Sequence, residues 1–86
     1  METLRLNDGT VLNNSSALLS GDLFLYMNGI TLQSAFQQLI ESRKTRRIVY
    51  TLNNGEKIEY SGYTKLVALR DEGNGLTTAV LRKETR

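Results

Sequence analysis

The chain has 86 residues, with 11 Lys and Arg against 9 Asp and Glu, a net charge of +2, and neither cysteine nor histidine. Without a thiol or an imidazole there can be no disulfide, no cysteine nucleophile, no histidine base and none of the common zinc ligand sets. So balanced a charge says little about partners, and a chain this short is expected to form one domain over residues 1–86, with 83–86 as a frayed tail.

The first residues, Met1 to Arg5, lack the apolar run of a signal peptide or a membrane span. The expectation is therefore a cytoplasmic protein with no membrane partner. Leu4 and Leu6 alternate with Thr3 and Arg5, Asn7-Asp8-Gly9 signals a turn, and Val11 and Leu12 follow, so the chain opens with a short hairpin. Ala17-Leu18-Leu19 predicts a short strand or a helical turn, interrupted by Gly21-Asp22. The next run, Leu23-Phe24-Leu25-Tyr26-Met27, is apolar throughout. It must be a strand covered on both faces, or one whose second face meets another chain.

Thr31 stands where a helix N-cap belongs, because Leu32, Ala35, Phe36, Leu39 and Ile40 repeat at helical spacing. The spacing predicts a helix from Leu32 to Ser42 with Phe36 at the centre of its buried stripe. Beyond it, Ile48-Val49-Tyr50-Thr51 and Lys57-Ile58-Glu59-Tyr60 read as a hairpin whose register the turn decides. A two-residue loop at Asn54-Gly55 would mix apolar and charged residues on both faces. A three-residue loop, Asn53-Asn54-Gly55 with Gly55 left-handed, pairs Ile48 with Tyr60 and Tyr50 with Ile58 on one dry face. The segment from Leu6 to Ser15 echoes that from Leu52 to Ser61, which we read as shared turn chemistry rather than an internal duplication.

From Glu56 to Arg70 the pattern fits one long strand bent by a bulge at Gly62. The loop Glu72 to Gly75 then returns the chain, setting Leu66 against Leu81, Val67 against Val80 and Ala68 against Ala79. Both faces of this second hairpin are apolar. It therefore sits centrally in the sheet, or its outer face meets a second layer or a second subunit.

Carboxylates at Asp8, Asp22, Glu41, Glu56, Glu59, Asp71 and Glu72 mostly border turns, where such residues shape loops, and no pair has the spacing of an acid/base couple. The loop Asp71 to Gly75 has calcium-friendly oxygens but lacks alternating ligand spacing and a closing glutamate. No catalytic residue, cofactor or metal ligand is assigned, and no enzyme is expected. Tyr26, Tyr50, Tyr60 and Tyr63 read as packing residues with a wettable tip. The basic run Arg43, Lys44, Arg46 and Arg47 is the one candidate for nucleic-acid contact; against it, no aromatic residue interleaves with the cations as a stacking platform requires.

Taken together, Leu6-Asn7-Asp8-Gly9-Thr10-Val11-Leu12, Gly21-Asp22-Leu23-Phe24-Leu25-Tyr26, Ser61-Gly62-Tyr63-Thr64-Lys65-Leu66 and Ala79-Val80-Leu81-Arg82-Lys83 resemble small proteins encoded among phage or prophage genes of Gram-positive bacteria. The resemblance covers most of the chain and carries no functional residue across. It implies a virion or assembly component, or another accessory prophage protein, that packs against copies of itself or its neighbours.

The expected fold is α+β: a hairpin-rich antiparallel sheet of about five to seven strands with one amphipathic helix on one face. The expected function is a self-associating, non-enzymatic interaction protein, because the apolar surface exceeds what one helix covers. Its interface would draw on Leu23, Phe24, Leu25, Tyr26, Met27, Leu66 and Ala68. The alternative is a nucleic-acid-binding or regulatory module using the basic run.

Overall fold

The computed structural model describes residues 1–7, 9–41 and 46–84. Their elements are β1 (Thr3–Arg5), β2 (Val11–Asn13), β3 (Ser16–Ser20), β4 (Asp22–Asn28), α1 (Leu32–Glu41), β5 (Arg47–Thr51), β6 (Lys57–Ser61), β7 (Lys65–Gly73) and β8 (Leu76–Arg82). The class is α+β, with eight antiparallel strands among the described residues. They divide into two four-strand sheets: sheet A in the order β2-β1-β5-β6 and sheet B in the order β3-β4-β8-β7. The division follows from pairings remote in sequence, Leu4 opposite Tyr50 in sheet A and Leu25 opposite Ala79 in sheet B.

Local turn chemistry sets the hairpins. The β5–β6 register pairs Ile48 with Tyr60 and Tyr50 with Ile58, as the three-residue loop requires. In that loop the Leu52 amide donates to the Glu56 carbonyl at 2.8 Å, the Gly55 amide donates to the Leu52 carbonyl at 3.0 Å, and Gly55 has φ +89°. The first turn repeats this geometry: the Leu6 amide donates to Thr10 at 2.8 Å and the Gly9 amide to Leu6 at 3.0 Å. Equivalent hairpins thus meet back to back at β1 and β5, with Leu4 and Tyr50 directly opposed. Asn7 anchors the first turn, its Oδ1 accepting from the Arg47 amide at 2.7 Å and its Nδ2 donating to the Gln38 carbonyl at 3.4 Å.

The chain changes sheets where a bent strand was expected. β6 ends at Ser61 in sheet A and β7 begins at Lys65 in sheet B, so Gly62, with φ +84°, starts a crossover rather than a bulge. The register shift lies further on, at Val67. It leaves Leu66 opposite Leu81, as expected, but moves Ala68 opposite Val80 and Leu69 opposite Ala79. The following turn is tighter than four residues. Gly73 pairs with Leu76 across Asn74-Gly75, both at positive φ, the arrangement that matches the twist of a two-residue hairpin.

The core lies between the sheets and under the helix. Leu4, Leu6, Leu12, Ile48 and Tyr50 from sheet A meet Leu23, Leu25, Met27, Ala79 and Leu81 from sheet B, with Ile30, Ala35 and Leu39 alongside. Thr31 caps α1, its Oγ1 accepting from the Ser34 amide at 3.2 Å. The helix packs beside β7 on the line Ala35–Leu39, both fully buried, whereas Phe36 is 50% exposed. Phe36 is therefore not the centre of the buried stripe. The helix presents the neighbouring side of its apolar arc to the sheet, and Leu32 and Phe36 are left to line a shallow cleft with Gln33 and Leu69.

Candidate interaction surface

Strand alternation splits the apolar run of β4 into two sets. Leu23, Leu25 and Met27 are fully buried in the core, while Phe24 and Tyr26 point to the opposite, outer face of sheet B and are half-buried. Of the seven interface candidates, then, Leu23, Leu25 and Met27 are committed to the interior. Leu66 lies on the inner face, packed against the core, and Phe24, Tyr26 and Ala68 share the outer one.

That outer face is built in rows across four strands. Leu18 opposes Phe24, Phe24 opposes Val80, and Val80 opposes Ala68, making one apolar row from edge to edge. None of these four belongs to the core cluster or packs against it. On one side runs the row Ser16, Tyr26, Thr78 and Arg70. On the other lie Ser20, Asp22, Arg82 and Lys65. There Arg82 grips Asp22 through two bonds, Nε to Oδ1 at 3.0 Å and Nη2 to Oδ2 at 3.1 Å. The hydrogen bond to Arg82 holds the Asp22 carboxyl below its ordinary range, and the same bond raises Arg82. The row contributes Leu18, 54% exposed, and the adjacent inner-side Leu19 is 47% exposed. Val80 and Leu18 both lie outside the seven interface candidates. Alternation from Phe24 reaches Val80 through the β4–β8 pairing and Leu18 through the β3–β4 pairing.

The basic run divides as well. Arg43 and Lys44 lie outside the described residues. Arg46 is 1% exposed, and its Nη1 donates to the Tyr63 carbonyl at 3.3 Å, so its guanidinium is turned inward rather than presented to a phosphate. Arg47 is exposed and its Nε lies 3.3 Å from Glu59 Oε1. It borders a cleft of about 560 Å³ on the outer face of sheet A, lined also by Arg5, Asn7, Val49 and Lys57. Arg5 and Lys57 were missed as partners of Arg47. The hairpin register already placed Lys57 on that face, but Arg5 reaches it only through the β1–β5 pairing.

The remaining polar groups serve structure. Asp71 Oδ1 accepts from the Gly73 amide at 2.9 Å, shaping the β7–β8 turn, and Glu72 faces Arg70 at 3.5 Å. Among the described residues no group of three or more Asp and Glu side chains could hold a metal ion. Tyr60 and Tyr63 meet edge to face with centroids 6.4 Å apart and pack against the core. No described helix is long and apolar enough to cross a membrane. Comparison with protein-family models, curated proteins and solved structures returns no match for the chain.

Proposed function

We propose that the chain is a non-enzymatic interaction protein that assembles with copies of itself through sheet B, and that it serves as a virion or assembly component of a phage or prophage. The observation that carries the self-association is the row Leu18, Phe24, Val80 and Ala68, which crosses the whole sheet yet stands apart from the core. Leu18 is exposed and the other three are half-buried, and apolar surface of this continuity outside the core is of the kind that meets other protein. Beside the row Asp22 and Arg82 neutralise each other, while Lys65 and Arg70 keep the β7 side of the face cationic. The phage setting is supported by the sequence resemblance. Sedimentation over a concentration series tests the reading: the chain should sediment above monomer mass at high micromolar concentration, and Leu18→Glu, at the exposed end of the row, should return it to monomer. A monomeric wild-type chain at that concentration refutes it.

A second reading, a nucleic-acid-binding or regulatory module, is favoured by the cleft on sheet A, where Arg5, Arg47 and Lys57 converge and Glu59 is the one carboxylate among the described lining residues. Phosphate contacts release counterions, so binding to DNA or RNA would weaken steeply with salt and fall further in Arg5→Ala and Lys57→Ala. Absent or salt-insensitive binding dismisses it.

A further inference from the structure

Sheet B ends at β3, whose far side is paired with no described strand. Unpaired edges invite strand addition, and proteins blunt them with charges, bulges, proline or shortness. The other three edges of this molecule carry such protection. β2 has three residues, β6 places Lys57 and Glu59 in its five, and β7 combines Lys65, Arg70, Asp71 and Glu72 with two register shifts. β3 carries none of these: Ser16-Ala17-Leu18-Leu19-Ser20 is uncharged and lacks proline, and it pairs with β4 without a shift.

Its sequence is also self-complementary. Turned about a two-fold axis through Leu18, the strand sets Leu18 against Leu18, Ala17 against Leu19 and Ser16 against Ser20. Every pair matches in polarity, and outer residues meet outer residues. A two-fold interface requires this kind of self-match. A one-residue slip would set Leu18 opposite Leu19 and bring core-side residues against outer ones.

Resting on the proposed self-association, we infer that the partner is a second copy of this chain, joined edge to edge through β3 in the Leu18-centred antiparallel register. The two sheets become one of eight strands, and the apolar rows join end to end: Ala68, Val80, Phe24 and Leu18 of one copy continue into Leu18, Phe24, Val80 and Ala68 of the other. The contact covers Leu18 and Leu19, the two exposed leucines of β3. Five paired residues make a small contact, so the dimer dissociates readily on dilution.

The natural chain has no cysteine, so single replacements report the register directly. Directly opposed residues of antiparallel strands have Cα atoms about 4.5–5.5 Å apart, within disulfide reach. Under mild oxidation at high micromolar concentration, Leu18→Cys should form a disulfide dimer. Ser16→Cys and Ser20→Cys should each fail alone, their own copies lying about 13 Å apart along the strands. A mixture of the two should cross-link as a heterodimer. Leu18→Lys, at a half-exposed site, should keep the wild-type circular dichroism and sediment as a monomer. Three results overturn the inference. Cross-linking at position 18 no faster than at Ser61→Cys on β6 is one; a mixture of Ser16→Cys and Ser20→Cys that does not couple is another. In either case, if the wild type still sediments above monomer mass, self-association through sheet B stands by another geometry. The third is a monomeric wild type, which removes both.

Discussion

The burial of α1 makes a quantitative contrast between two residues that periodicity alone would treat alike. Phe36→Ala removes a ring of roughly 200 Å². At 50% exposure, on the order of half of that is withdrawn from water, which corresponds to about 2.5 kcal/mol at about 25 cal/mol per Å². Alanine keeps its own methyl contact and gains about 0.5 kcal/mol of helix propensity, and a site open to solvent leaves no cavity behind. The expected loss is about 1 kcal/mol. Leu39 is fully buried, so Leu39→Ala opens a cavity and should cost about 2–5 kcal/mol despite its smaller side chain. Urea unfolding followed by circular dichroism, at a protein concentration low enough to keep every variant monomeric, measures both against wild type with a shared slope. Should Phe36→Ala prove as damaging as Leu39→Ala, the placement of the helix against β7 is wrong.

Thr31→Ala removes the acceptor for the Ser34 amide and should cost about 1 kcal/mol, whereas Thr31→Asp should hold wild-type stability; equal losses in the two would dispose of the cap. Ser15 is 1% exposed, accepts from the Asn28 amide at 2.8 Å and donates to the Asn13 carbonyl at 3.1 Å, so Ser15→Ala strands a backbone donor and should cost about 1–3 kcal/mol in thermal unfolding. No change in melting temperature would show that water replaces the hydroxyl. Burial, and after it the hydrogen bond to Glu2, raises the Tyr50 phenol above its ordinary value of 10.0. The folded state therefore holds that proton more tightly than the unfolded chain. Its stabilisation is complete below the unfolded pKa and is lost as pH rises through the folded one. Tyr60 is raised in the same direction by its own burial, so Tyr50→Phe should flatten the alkaline loss without abolishing it. An unchanged alkaline slope in Tyr50→Phe would contradict this assignment.

What the residues disclosed in advance was whatever a turn and its two flanking strands decide among themselves. The Ile48–Tyr60 register was legible because loop length and alternation gave incompatible answers for every other arrangement nearby. The Thr31 cap was legible for the same local reason. The partition into two sheets was not, since no turn connects β1 to β5 or β4 to β8, and an alternating strand accepts many partners. Phe36 shows a related limit: five apolar positions cover a wider arc than one sheet edge contacts, and periodicity does not say which side of the arc docks. At the surface, the apolar run of β4 announced two covered faces, but Leu18 joined it only through cross-strand pairing. The basic run misled because adjacency along the chain is not adjacency in space. Arg46 turns inward at the start of β5, and the cations beside Arg47 arrive from other strands.

The position of β8 in sheet B has a consequence for how the chain is made. β8 lies between β4 and β7, so residues 76–82 supply a middle strand, with Ala79 and Leu81 backing Leu25 and Leu23. Until that stretch has been synthesised, β4 has no strand along the edge that β8 will occupy, and β7 has no partner in sheet B. Slow, non-local closure of this kind is when a chain is most prone to sticking to its neighbours. Truncation before Leu76 should therefore yield an aggregating polypeptide rather than a smaller folded one.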